Sequence, residues 1–221
     1  MKIGDWSRSM KVKIFPVNPF IMNCYVYYNE ESRLGVIIDP GIFTDEEEKD
    51  IFDFIHETGI KIKYILNTHG HIDHIMGNWW AKNKFNVPLV MHKDDMPLID
   101  KSGEQAALFE ISFPKPPNPD IFISESDKIE FDDTVLDIIH TPGHSPGSVC
   151  FIDAKEKIIF GGDCIFSGSI GRTDLWMGNM GLLLDSIKNK ILTYPDDYII
   201  YPGHYEETTV GEEKKSNPFL V

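Results

Sequence analysis

The segment Thr68-His69-Gly70-His71-Ile72-Asp73-His74 restricts this chain more than any other. Three of its eight histidines and an aspartate fall within six residues, directly after the apolar run Ile62-Lys63-Tyr64-Ile65-Leu66, which reads as a strand. A polar surface loop would collect that composition only by chance. His69 and His71 are two apart, so in extended backbone their side chains point to one side. Asp73 and His74 come where the chain turns into a helix, and can face a neighbouring point. Imidazole nitrogens together with a carboxylate suit zinc, iron or manganese.

Further along, His140-Thr141-Pro142-Gly143-His144 ends a strand, turns, and presents a histidine. Tyr201-Pro202-Gly203-His204 repeats that construction. Either turn histidine alone would read as structural. Beside the first cluster, the two suggest strand tips aimed at one site, with His144 and His204 as ligands. Phe160-Gly161-Gly162-Asp163 adds a carboxylate at another strand end. Two cations need a bridging anion, and Asp163 can offer one oxygen or two. His56 and His92 do not fit the ligand pattern and read as ordinary residues.

The elements around these motifs alternate. Asn23–Tyr28 and Gly35–Asp39 read as strands, and Thr44 with Glu47 forms a capping box for a helix that Gly59 stops. A second helix is expected from about Ile75 to Phe85, with at least one of Trp79 and Trp80 in the core, and Leu89–Met91 as a short strand. The second half repeats the order. Strands are expected over Lys128–Phe131, Val135–Ile139, Ser148–Ile152, Lys157–Phe160 and Tyr198–Tyr201, with a helix over Leu182–Ile191. Two such blocks suggest two sheets packed together with helices outside. The Pro-rich stretch 113–119 reads as a surface connection, with a lid over the site as the alternative.

The 221 residues carry a net charge of −14, which argues against nucleic acid or an anionic membrane as partner. No apolar run approaches a membrane span, and the N-terminus has no apolar core of a secretory signal. Cys24, Cys150 and Cys164 form no C-x-x-C pair and sit in apolar settings, so free buried thiols in a cytoplasmic protein are expected.

The order His69-x-His71-x-Asp73-His74, then His144, Asp163 and His204, resembles the metallo-β-lactamase superfamily. That resemblance implies an α+β four-layer αββα sandwich of two mixed sheets, in one domain over residues 1–221. It implies one divalent metal on His69, His71 and His144, and another on Asp73, His74 and His204, with Asp163 bridging. Zinc comes first, with iron or manganese also suited. Asp39, in Ile38-Asp39-Pro40-Gly41, matches the family's early aspartate, a support behind the ligands; a plain turn aspartate is the alternative.

Within the superfamily, Thr68–Gly77, His140–Ser148, Phe166–Asp174 and the tail Gly211–Leu220 resemble the short bacterial hydroxyacylglutathione hydrolases (glyoxalase II). The activity implied is hydrolysis of a small-molecule thioester, a 2-hydroxyacyl thioester such as S-lactoylglutathione, by a metal-bridged hydroxide that Asp73 also orients. Arg172 is the candidate substrate anchor, with an ion pair to Asp174 as the alternative. Long glyoxalase II proteins carry a C-terminal helical domain that helps hold glutathione, and none is expected here. The rival readings are a mononuclear-iron sulfur (persulfide) dioxygenase of the same fold using His69, His144 and Asp163, a nuclease disfavoured by the charge, and a binding protein, for which seven intact ligand positions would be needless.

Overall fold

A computed structural model of the chain describes residues 9–220; the first eight residues, part of the segment read above for a secretory signal, lie outside them. The first sheet has the order β1 (Met10–Val17), β2 (Met22–Asn29), β3 (Leu34–Ile38), β4 (Lys61–Leu66), β5 (Leu89–His92) and β6 (Ile121–Ile123). Its first three strands are antiparallel and its last four run parallel. The second sheet runs β14 (Thr208–Thr209), β13 (Ile199–Pro202), β10 (Ile158–Gly162), β9 (Val149–Asp153), β8 (Thr134–His140) and β7 (Lys128–Phe131). Its β10–β13 pair is parallel and its other pairs are antiparallel. Both sheets are mixed, as the family resemblance implies.

Strand alternation decides which face meets what. Tyr25, Tyr27, Val36 and Ile38 of the first sheet pack against Leu136, Ile138, Phe151 and Phe160 of the second, forming the central core. The opposite face of β2 carries Cys24, Val26 and Tyr28, which meet Ile51 and Ile55 of α1 (Asp45–Thr58). The outer face of the second sheet, with Cys150, Ile152 and Ile159, meets Leu183 and Ile187 of α6 (Met180–Asn189) and Val210 of α7 (Val210–Ser216). The result is the four-layer αββα sandwich. All three cysteines are free and buried.

Local signals set the element ends. Thr44 accepts from the Glu47 amide while the Glu47 carboxylate accepts from the Thr44 amide, and Gly59 closes α1 at φ 70°. The single helix expected over 75–85 is two pieces, α2 (Ile72–Ile75) and α3 (Asn78–Phe85). Gly77, at the junction, is a glycine for a steric reason. The chain there lies so close to Pro40 and Ile42 that a Cβ would overlap the Pro40 carbonyl. Trp80 packs edge-on against Phe85 at 5.6 Å, while Trp79 is about half exposed. Two short helices, α4 (Met96–Asp100) and α5 (Ser102–Leu108), precede the Pro-rich stretch, which leads to β6 and supplies none of the residues lining the cavity described below. Among the described residues, no helix is long and apolar enough to cross a membrane.

Candidate metal centre

The seven side chains singled out in the sequence converge at one end of the sandwich, each from beyond the C-terminal end of a strand. β4 delivers His69, His71, Asp73 and His74; β8 delivers His144; β10 delivers Asp163; β13 delivers His204. An isolated bridge between Met22 and His204 ties the rims of the two sheets together at this point.

The ligand atoms form overlapping sets. Nε2 of His144 lies 2.7 Å from His71 Nδ1 and 3.1 Å from His69 Nε2. On the other side, His204 Nε2 lies 3.1 Å from Asp73 Oδ2, and His74 Nε2 lies 3.8 Å from the same oxygen. Asp163 stands between the sets. Its Oδ2 is 3.5 Å from His144 Nε2 and 3.6 Å from His204 Nε2, and its Oδ1 is 3.3 Å from His74 Nε2. A tetrahedral ion with bonds of about 2.0–2.1 Å holds its ligand atoms roughly 3.3 Å apart, which is the scale of these separations.

Hydrogen bonding supports the same fit. Two of the atoms in the cluster, His74 Nε2 and Asp163 Oδ1, are buried and have no hydrogen-bond partner. Native interiors rarely leave such atoms unpaired. The donor set of imidazoles and carboxylates, with its lone pairs gathered inward, fits divalent cations.

The outer edges of the histidines are held by the fold. His144 Nδ1 donates to the Arg172 carbonyl at 2.7 Å, and His204 Nδ1 lies 3.2 Å from the Phe20 carbonyl. His74 Nδ1 faces Asp39 Oδ2 at 2.9 Å, and His69 Nδ1 lies 3.1 Å from Thr68 Oγ1. Asp39 is buried, with a left-handed backbone at φ 50°, and also accepts from the Thr68 amide and hydroxyl. Of its two readings, the geometry is that of a support behind the ligand loop. Such partners fix ring orientation and tautomer.

Charge follows from burial and proximity. Burial drives the His69 imidazole far below its ordinary pKa, with the neighbouring histidines adding to the fall, and it pushes His71 down to about 3. Burial also opposes the charge on His74, but Asp163, Asp39 and Asp73 outweigh it and hold that ring up. Burial alone would raise Asp163 and Asp73; His74 and the other histidines hold both below the usual carboxylate range. Burial likewise opposes the charge on His204, but Asp73 and Asp163 hold it up, so His69 and His71 stand ready as neutral ligands while His74 and His204 would give up a proton to a divalent cation.

One supporting residue escaped the sequence reading. Asp95, fully buried, accepts from the Gly70 amide at 2.8 Å, the Ser145 hydroxyl at 2.7 Å and the Gly147 amide at 2.6 Å. It therefore joins the loop of His69 and His71 to the loop of His144. In the sequence it looks like one more acid beside the exposed Asp94. His92 lies apart from the cluster, stacked on His140 at 4.3 Å, and with His140 and Asp94 forms a separate group of possible ligands.

A cavity of about 370 Å³ opens over the cluster, lined by His71, Asp73, His144, Asp163 and His204 and walled largely by aromatic and aliphatic side chains. Arg172 also lines it, but its guanidinium is held bidentately by Asp174 at 2.7 and 2.8 Å. That is the ion pair the sequence left open as the alternative to a substrate anchor.

Gly203 tests how tightly the centre is built. A Cβ there would overlap Asp163 Oδ1 and come within 2.7 Å of His74 Cε1. Gly203→Ala should therefore empty the centre as effectively as removing a ligand. Metal analysis of the purified variant checks this; a fully loaded Gly203→Ala protein would mean that Asp163 has room to move.

Known proteins match this arrangement. The metallo-beta-lactamase superfamily domain matches residues 17–204. A hydroxyacylglutathione hydrolase of Haemophilus influenzae, GloC, is 37% identical over 96% of this chain and 98% of its own length. The mitochondrial persulfide dioxygenase of Homo sapiens is 32% identical over 89% of this chain and 70% of its own. Among solved structures, TTHA1623 in a di-iron-bound form superposes with a TM-score of 0.84 at 34% identity, covering 95% of this chain and all of that one. Domain match, fold and the geometry of the strand-end cluster agree, and the chain belongs to the metallo-beta-lactamase superfamily.

Proposed function

We propose that this protein is a metal-dependent thioester hydrolase with two divalent cations, one on His69, His71 and His144 and the other on Asp73, His74 and His204. The observation that carries the reading is Asp163, whose two oxygens reach both histidine sets and so can bridge. When bound, such a pair of cations would activate water for attack at neutral pH and polarise a carbonyl oxygen.

The chain's own groups do the rest. Asp73 lines the cavity, and its ionised carboxylate is placed to orient an attacking water. Asp39 and the carbonyls of Phe20 and Arg172 keep the imidazoles aimed inward while substrate enters. Among the described residues, every carboxylate and imidazole lining the cavity belongs to the proposed ligand set, leaving no further one to face a leaving group. That favours a bond whose leaving group departs as an anion unaided, as a thiolate does, over an amide. The finer reading, a 2-hydroxyacyl thioester such as S-lactoylglutathione, is supported by the likeness to the hydroxyacylglutathione hydrolase.

A persulfide dioxygenase is the second reading, supported by the human relative and needing one iron on His69, His144 and Asp163. Metal content separates the two. Close to two divalent ions per chain at full loading, with turnover of lactoyl thioesters, is the expected result. One tightly held iron with no second ion under any loading, and oxygen uptake with a persulfide, would replace it.

A further inference from the structure

The cavity wall narrows the substrate beyond the scissile bond. Phe20 comes from the β1–β2 turn, Phe109 from the end of α5, Phe166 from β11 (Ile165–Phe166) and Tyr205 from beyond β13. They line the cavity as two edge-to-face pairs, Phe20 with Phe109 at 5.1 Å and Phe166 with Tyr205 at 5.6 Å. Phe109 and Tyr205 are 44% and 72% exposed, so these rings are only partly covered by the protein itself. Ile21 and Leu108, next to Phe20 and Phe109 in the chain, are more than two-thirds exposed. Partly exposed aromatic side chains around a cavity mouth offer a binding surface.

The Phe20 turn is built rather than incidental. Asn18 donates to the carbonyls of Gly41 and Asp73 at 2.7 and 2.9 Å and accepts from the Phe20 amide, so the turn is fixed to the ligand loop. Ile21 holds φ 55°, a left-handed backbone that a β-branched side chain adopts only under strain. Strain of that sort persists where the surroundings over-determine a position, and it concentrates at functional sites. The Phe20 carbonyl meanwhile supports His204, so one turn sets both a ligand and an aromatic wall.

Positive charge is scarce on the same wall. Among the described lining residues Arg172 is the one lysine or arginine, and Asp174 occupies it. The Gln105 amide nitrogen is engaged by the Leu98 carbonyl. Anionic tails find no free cation there, whereas an uncharged ring finds edges and faces to pack on.

We infer that the site selects an uncharged thioester bearing an apolar or aromatic group, gripped by the Phe20–Phe109 pair, and does not select the carboxylates of glutathione. This rests on the thioester reading above.

The test uses fully metal-loaded protein and three lactoyl thioesters, of glutathione, of N-acetylcysteamine and of benzyl mercaptan. The benzyl ester should exceed the other two in kcat/KM by about tenfold or more, the scale of a well-packed apolar contact. Phe109→Ala should bring the benzyl to N-acetylcysteamine ratio towards one. A glutathione ester preferred tenfold, or a ratio that Phe109→Ala leaves unchanged, overturns the inference. Calorimetric binding of the matching non-hydrolysable thioethers separates the two levels. Preference for the benzyl thioether without turnover of any ester would sink the thioester reading alone, and absence of that preference would sink this one.

Discussion

Asp163→Ala is expected to cost the protein both ions and to cut thioester turnover by roughly 10³-fold or more, the scale on which a hydrolytic metal centre contributes. On the two-ion reading Asp163 is the one side chain shared by both sets, 3.3–3.6 Å from His74, His144 and His204. Removing it withdraws an anionic ligand from each cation and leaves a cluster of imidazoles with less negative charge to offset two dications. Asp163→Asn keeps the volume but loses the charge, and should lie close to the alanine variant. His204→Ala should weaken mainly the ion shared with Asp73 and His74. His92→Ala should leave metal content unchanged, since His92 stacks on His140 away from the cluster. Metal analysis after extensive dialysis, paired with kcat on the same samples, reads all four. Two ions retained in Asp163→Ala, or an emptied centre in His92→Ala, would dismantle the assignment.

What the sequence made legible follows from where each contribution lies. The seven candidate ligands lie just beyond strand ends in short local patterns, and the structure brings all seven to one place. The packed sheets were legible from the two blocks of strands then helix, and the four-layer order from the family resemblance, whereas β2 is buried on both faces and shows no polar alternation to read. The supports were less so. The Phe20 and Arg172 carbonyls that hold His204 and His144 are backbone atoms, which any residue could supply. The need for a glycine at position 77 depends on Pro40, far off in sequence. Strand β6 has two of its three residues exposed and shows no alternation to read. The cavity wall needs Phe20, Phe109, Phe166 and Tyr205 to meet from four separate segments, and only the three-dimensional structure brings them together.

Asp95 is the plainest such case, and its substitution carries the largest expected effect on stability. Burial raises its carboxyl above the usual range, while the bonds from Ser145, Gly147 and Gly70 pull it back. Asp95→Ala leaves the Gly70 and Gly147 amides without their acceptor in a buried place, while the Ser145 hydroxyl keeps Ser148 Oγ at 2.7 Å. Unpaired buried donors cost about 1–3 kcal/mol each. Removing a buried carboxylate recovers part of that, so a net loss of about 2–4 kcal/mol is expected. Asp95→Asn should be little better. Oδ1 accepts from the Gly147 amide and Oδ2 from the Gly70 amide, so whichever way an asparagine is turned, its NH₂ faces a backbone N–H. Denaturant melts of metal-free protein measure the fold alone. Metal titrations should then show the site of His69, His71 and His144 weakened more than the site of Asp73, His74 and His204, because Asp95 joins the loops of the first set only. An Asp95→Asn protein as stable and as tightly loaded as the parent would show that the two loops hold their geometry without it.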